Sequence, residues 1–504
     1  VILGATTGLP DDVAAALAGH AIVRLVPGAG GHETGAEVME IDFASRESLA
    51  ACHRRITDTA GRRVGAIVNL LGLCPPFTGP GATPLPLSLA WLHVIQAFGD
   101  DLRASARDGG GWIVNVTSLD GRFGGAFGRP DAVVQAGTLG ISKAVARELA
   151  GVRVRNVDVA PDLPADRQAA LVAAEFLCAD DLLEVGHDRS GRWMLQAVPA
   201  RVADADLGPL PVDGESVILI TGGAGGVTAA VALELARQAR PLLVLVGRSP
   251  LPAPEDEATR CLDRDGLRAH VLERATRGGH AAKPAEIEAR VKRILKDREI
   301  LANIAAMRAA GARVEYHAID VRDGDAFPAL VQRIYVEHGR LDGVVHGAGV
   351  VEDKFLRDKT AESFARVFST KVDPALALVR GLRFESLAFL VFFSSVSARL
   401  GARGQVDYGA ANEVLNKLAA HVAGRSATRV VAINWGPWRG GMVSDGLLRQ
   451  YAARNIAAID VAAGARQFVR ELRLARASTP EVLIVAGSFS ALARAAGESG
   501  ASPA

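Results

Sequence analysis

Apolar residues run without a break from Leu387 to Phe393 and stop at Ser394–Ser395. A continuous run of this length, rich in Phe and Val and closed by small polar residues, predicts a strand buried on both faces of a parallel sheet. Ser395 then sits at the strand's carboxyl end. Tyr408 follows thirteen residues later and Asn412 four after that, one turn along a helix and on the same face. Lys371 lies 24 residues before Ser395, in the preceding helical stretch. A hydroxyl, a phenol, an ammonium and an amide at these spacings can converge above the strand ends, where open α/β sheets place their ligands.

The same alternation of apolar strand runs and helical stretches occurs twice. VILGATTGLPDD at Val1 echoes VILITGGAGGVT at Val217, 216 residues on. GAIVNLLGL from Gly65 echoes DGVVHGAGV from Asp342, and IVNVTS ending at Ser118 echoes LVFFSS ending at Ser395, both at an offset of 277. RVRNVDVAP from Arg153 echoes RVVAINWGP from Arg429 at 276. The sequence therefore predicts an α/β chain of two doubly wound, Rossmann-like parallel-sheet subdomains. The first spans 1–210 and the second 211–504, with the boundary in the Pro/Gly/Asp-rich stretch VADADLGPLPVDGES. The jump in offset marks an insertion in the second copy at about 250–310. In it, Pro284 suits a first helical turn, and apolar residues from Ile287 to Met307 recur at helical spacing up to a capping Gly311. One long amphipathic helix is expected there, packed on its own domain or offered to a neighbour.

In the second copy, Thr221–Thr228 (TGGAGGVT) joins a strand to an Ala/Leu-rich helix. Glycines in such a turn let a pyrophosphate approach the positive helix N-terminus. After the next strand comes Gly247–Arg248–Ser249. An arginine here, where NAD-binding folds carry Asp or Glu, accommodates a 2′-phosphate and points to NADPH.

Composition narrows the class further. The chain has 504 residues, 49% hydrophobic content and a formal net charge of +1. No basic excess argues for nucleic acid, and no apolar run approaches the ~18 residues of a membrane span. Cys52, Cys74, Cys178 and Cys261 are scattered, so neither a metal site nor a disulfide framework is signalled. A cytoplasmic setting fits. The chain opens on Val1 and closes on GESGASPA, which reads as a piece of a longer polypeptide.

Lys371, Ser395, Tyr408 and Asn412 resemble, interval by interval, the short-chain dehydrogenase/reductase superfamily. More narrowly they resemble the ketoreductase domains of type I polyketide and polyunsaturated fatty acid synthases. There the lysine comes from the earlier helix and an asparagine follows the tyrosine by four. The resemblance implies NADPH-dependent reduction of a β-ketoacyl thioester carried by the phosphopantetheine of an acyl carrier protein, within a synthase of several domains. Tyr408 would be the proton donor, Lys371 would lower its pKa and hold the nicotinamide ribose, Ser395 would orient the carbonyl, and Asn412 would position a water. The implied cofactor contacts are Thr221, Gly222, Gly223, Gly225, Gly226, Val227, Arg248, Ser249, Asp320, Val321, Gly347, Ala348, Gly349 and Pro437, together with Lys371 and Tyr408. Asp353, Leu400, Gln405, Trp438 and Met442 would face the substrate. The family pattern of the glycine turn ends in glycine where this chain has Thr228, a variant that resembles the polyunsaturated fatty acid and enediyne branch.

By the same resemblance the first copy is an inactive structural subdomain. Val94 stands at the lysine position, Asp131 or Ala132 at the tyrosine position, and Pro10 opposite Gly226. The family's Leu-Asp-Asp triplet becomes Val351–Glu352–Asp353, and the tryptophan of the opposite stereochemical class is replaced by Leu400. A (3R)-hydroxyacyl product is the expectation. A free-standing tandem reductase acting on an untethered carbonyl compound, and a non-catalytic interaction module, are the alternatives.

Overall fold

The apolar runs that predict strands fold into two sheets. The computed structural model describes residues 1–504 except 6–7, 29–32, 36–37, 62, 76, 79–80, 125–129, 278–282, 442–444, 454, 475–478 and 496–504. The second sheet has seven strands, all parallel, in the spatial order Arg313–Ala318, Leu242–Gly247, Val217–Thr221, Gly343–His346, Phe389–Ser395, Arg429–Trp435, Glu481–Ile484. Chain order reverses between Val217–Thr221 and Gly343–His346, which opens a crevice at their carboxyl ends. The run Leu387–Phe393 does form the predicted strand, and Phe389 to Ser394 are buried on both faces.

The first sheet repeats this order with Val38–Ile41, Arg24–Pro27, Ile2–Leu3, Ala66–Asn69, Trp112–Thr117, Arg153–Val159 and Glu184–Asp188. It departs from the sequence expectation at both margins, where Glu33–Gly35 and Gly191–Met194 add antiparallel edge strands. Short edge strands of this kind close a sheet against further pairing. The last of these strands ends at Met194, and the second sheet begins at Val217. In place of the glycine turn, Pro10 packs on Gly4, whose missing Cβ would lie 2.7 Å from the proline ring.

The two sheets are joined by helices that nearly touch backbone to backbone. Helix Ala136–Glu148 crosses helix Val406–Ala423 at Gly140, where a Cβ would lie 2.5 Å from the Gly409 carbonyl oxygen and 2.7 Å from the Ala410 Cα. Three residues on, the fully buried Lys143 places its ammonium 2.8 Å from Glu184 and 3.2 Å from Glu413. Burial alone would raise the Glu413 carboxyl, but Lys143, Lys417 and Arg399 hold it down at about 2.

The insertion is a helical hairpin. Helices Arg264–Arg277 and Pro284–Ala309 share a small core of Leu267, Ile287 and Val291. The later turns of the long helix send Ile300, Ile304 and Met307 into the main core of the second sheet. Arg298 ties the hairpin's root, pairing with Glu255 at 2.8 Å. Gly311, at φ +98, ends the run in a conformation that side chains resist.

The helix crossing predicts the cost of filling it. Gly140→Ala should destabilise the folded chain by about 1–3 kcal/mol through overpacking against rigid backbone. A lowered denaturant midpoint with an unchanged m-value would register it.

Candidate functional site

A cleft of about 1330 Å³ opens at the carboxyl ends of the second sheet, across the reversal of strand order. Three of the four candidate catalytic residues line it, and each is placed by a different element. Helix Ala361–Gly381 carries Lys371, the strand Phe389–Ser395 ends at Ser395, and helix Val406–Ala423 starts two residues before Tyr408. The Lys371 ammonium donates to the Phe393 carbonyl at 2.7 Å and lies 5.4 Å from the centre of the Tyr408 ring. Ser395 caps the next short helix, and its Oγ accepts from the backbone N–H and the hydroxyl of Ser397 at 3.2 and 3.0 Å. Asn412 is fully buried behind the wall. Its amide donates to the Tyr408 carbonyl at 2.7 Å, while its Oδ1 has no hydrogen-bond partner among the described residues.

The electrostatics run against one sequence expectation. Burial pushes the Tyr408 phenol up to about 12, and the Asp353 carboxylate adds to the rise. Burial lowers Lys371 to about 7, since a buried ammonium loses its hydration. In this state the lysine spends its proton on a backbone carbonyl and does not draw the tyrosine's pKa down.

The glycine turn contributes to the same lining. Gly222 (φ +76) and Gly226 (φ +57) adopt left-handed conformations, and a Cβ on Gly222 would come within 3.2 Å of the Ala348 backbone. Gly225, Val227, Arg248, Ser249, Val321, Gly347, Ala348, Gly349 and Pro437 also line the cleft. Thr228, where the family pattern has glycine, fits because Gly347 faces it. A Cβ on Gly347 would lie 2.6 Å from the threonine side chain.

Three expected contacts lie outside the lining, each for a visible reason. The Thr221 hydroxyl is engaged by His346 at 2.8 Å and by the Ala348 N–H at 3.2 Å. Gly223 is wedged under Ile220 and Leu245. Asp320 turns back onto Arg322 at 2.7 Å, which lowers its pKa. On the substrate side Asp353, Leu400, Gln405 and Trp438 line the cleft. Gln405 donates to Asp353 at 3.5 Å. The Trp438 ring is buried against Trp435, with ring centres 4.8 Å apart. Met442 lies outside the described residues, as do the neighbours that would continue that loop.

Sequence reasoning missed several contributors. His346 is a two-ended strut whose burial, helped by the Lys371 charge, lowers its pKa to about 3, so it is neutral. The Thr221 hydroxyl donates to its Nδ1, and its Nε2–H donates to the Lys371 carbonyl, both at 2.8 Å. This assignment follows from a carbonyl's being able only to accept. The insertion reaches the cleft as well. Glu299 accepts the Gly226 N–H at 2.7 Å, at the helix N-terminus where anions are favoured, and Asn303 donates to the Ala224 carbonyl at 3.0 Å. The first half supplies Ala146 and Arg147 to the lining. Only the helical periodicity of the insertion hinted at any of these.

Residues 216–440 match the family model described as KR domain. Among curated proteins, the chain is 29% identical over 391 residues to a polyunsaturated fatty acid synthase subunit from Thraustochytrium, covering 74% of this chain and 14% of that protein. It is 31% identical over 437 residues to polyketide synthase GfsB of Streptomyces halstedii, covering 82% of this chain and 7% of that one. The chain thus spans a small fraction of these relatives' length. Among solved structures, the first ketoreductase of the tylosin polyketide synthase superposes with a TM-score of 0.70 at 23% identity, over 98% of this chain and 92% of that one. An N-terminal ketoreductase of the macrolactin assembly line gives 0.70 at 18% identity, over 98% and 88%. These likenesses establish that the fold extends over both sheets. Among the described residues no helix is long and apolar enough to cross a membrane, and no group of side chains is arranged to hold a metal ion.

The depressed Lys371 ammonium should be directly visible. In a carbon-13 NMR titration of lysine-labelled protein, one lysine should lose its proton near pH 7, well below the rest. That signal should be missing from Lys371→Met, and a Lys371 resonance titrating above pH 10 would contradict the burial argument.

Proposed function

The chain belongs to the ketoreductase domains of polyketide and polyunsaturated fatty acid synthases, its KR match running from residue 216 to 440, and from that premise we propose that it reduces a β-ketoacyl thioester on an acyl carrier protein with NADPH. The observation that carries this reading is one of position. Lys371, Ser395 and Tyr408 line the same cleft as Gly222, Gly225 and Gly226 of the glycine turn. The left-handed glycines and the helix N-terminus, whose Gly226 N–H Glu299 would yield to the ligand, suit a pyrophosphate, and Arg248 beside them suits a 2′-phosphate. When bound, the dinucleotide supplies a hydride to one face of a carbonyl.

The protein's own groups handle the charge and the proton. Ser395, whose Oγ accepts from Ser397 and keeps its own hydroxyl proton, donates a hydrogen bond to the carbonyl oxygen, and this bond strengthens as negative charge develops. Tyr408 keeps its proton at neutral pH and releases it to the developing alkoxide. Release from so weak an acid needs a neighbouring cation, so Lys371 must turn its ammonium from the Phe393 carbonyl toward the phenol. Asn412, with its Oδ1 unspent behind Tyr408, is placed to orient a water that resupplies the proton. The acyl chain reaches this point past the rim that Asp353 and Gln405 form together.

Tyr408→Phe should lower kcat by about a hundredfold or more, since it deletes the acid but keeps the ring, while the NADPH dissociation constant stays nearly constant. Near wild-type turnover would end the assignment. Arg248→Ala should weaken NADPH about tenfold and NADH hardly at all, and equal losses by titration would refute the 2′-phosphate contact. Asp353 stands at the second Asp of the stereochemical triplet and Leu400 at the opposing tryptophan. A short unbranched β-ketoacyl thioester should therefore yield mainly the (3R) alcohol on chiral chromatography, and a dominant (3S) product would reverse the assignment.

A further inference from the structure

The half of the chain without catalytic residues reaches into the cleft of the other half. At the end of helix Ala136–Glu148, one carboxylate spans both lips of the substrate side. Glu148 Oε2 accepts the Leu356 N–H at 2.7 Å, and its Oε1 accepts the Gly404 N–H at 2.8 Å. The lips are also bonded to each other, Lys354 N–H to Gly404 carbonyl at 3.0 Å, directly beside Asp353 and Gln405. Two further bonds come from the same half. Arg147 donates through Nε to the Leu400 carbonyl at 2.7 Å, and Gln96 donates to the carbonyls of Leu356 and Lys359 at 2.7 and 2.8 Å.

Three features separate this from ordinary packing. Glu148 is the last residue of its helix, where the helix dipole disfavours a negative charge, so its stabilisation comes from the lips and not from its own helix. A single carboxylate can serve two amides at once because it has two acceptor oxygens and no donor. Gly404 is at φ +79, so the lip needs both a glycine and an external acceptor to hold that turn. Arg147, beside the clamp, lines the same cleft.

We propose that Glu148 is a positioning residue of the reductase site, clamping the two substrate lips in register so that the ketone presents one face, and that the first half is in this sense part of the substrate site. The inference rests on the reductase reading for its kinetic consequence and on geometry alone for the clamp. Glu148→Gln keeps the shape but replaces one acceptor with a donor, so one of the two amides loses its partner.

The test uses Glu148→Gln in the full 504-residue chain. Hydrogen exchange at Leu356 and Gly404 should speed up by about tenfold or more, with both sheet cores unchanged. The KM for a short β-ketoacyl thioester should rise about fivefold, the minor alcohol should increase, and NADPH affinity should stay within about twofold. Unchanged exchange at the lips overturns the clamp. Faster exchange throughout both sheets, with an unaltered alcohol ratio, also overturns it, because Glu148 would then be a general stabiliser. Faster exchange at the lips with unaltered KM and alcohol ratio overturns its role in presenting the ketone. A wild-type chain that binds NADPH but reduces no ketone defeats the reductase reading instead, and the exchange measurement still decides the clamp.

Discussion

The structure depends on one close approach, the crossing of helix Ala136–Glu148 over helix Val406–Ala423. Main chain meets main chain at Gly140, so neither helix can shift without a steric clash. The ion pairs beside it add a second demand. Lys143 and Glu413 are both fully removed from solvent, and losing one partner of such a pair strands the other's charge, at about 3–5 kcal/mol. Glu413 directly follows Asn412 and lies five residues beyond Tyr408. Whatever fixes Glu413 therefore fixes the rotation of the helix that carries Tyr408. The first half is thus a bearing surface for the second.

The same crossing explains how a duplicated fold divides labour. A doubly wound sheet exposes apolar helix faces that must be covered. Here the covering element is the other copy, which differs from its neighbour at the glycine turn and at the lysine position. Pro10 packs against Gly4, and Val94 is wholly buried. The first copy spends polar side chains such as Gln96 and Glu148 on its neighbour's loops.

Much of the fold was legible because strand burial and helix spacing are local properties. The run at Leu387–Phe393, the strand echoes at offsets of 216, 276 and 277 residues and the turn at Thr221–Thr228 all survive in three dimensions. The antiparallel edge strands were not legible, since three or four residues beside a turn carry little periodicity. Within the site, Lys371, Ser395 and Tyr408 were found from spacing. The condition of Lys371 could not be, because its lowered pKa comes from desolvation by distant segments. The pairing of Asp320 with Arg322 two residues on was likewise not marked by any pattern in the sequence. Glu148 lies 208 and 256 positions from the amides it holds, and no pattern in a single sequence marks such a contact.

Thr228 and Gly347 share one volume, and that fact constrains history as well as packing. The threonine methyl and hydroxyl occupy the space in which a side chain at 347 would stand. A glycine at both positions leaves a hole, and a side chain at both leaves a collision. A threonine at 228 is accessible only to an ancestor that already had glycine at 347, whereas the reverse order passes through overpacked intermediates costing about 1–3 kcal/mol. Once the threonine is in place its partner is locked, and only restoring the glycine at 228, which opens a void, frees position 347 again. A tolerated exchange in the glycine turn thereby becomes a commitment of the facing strand end.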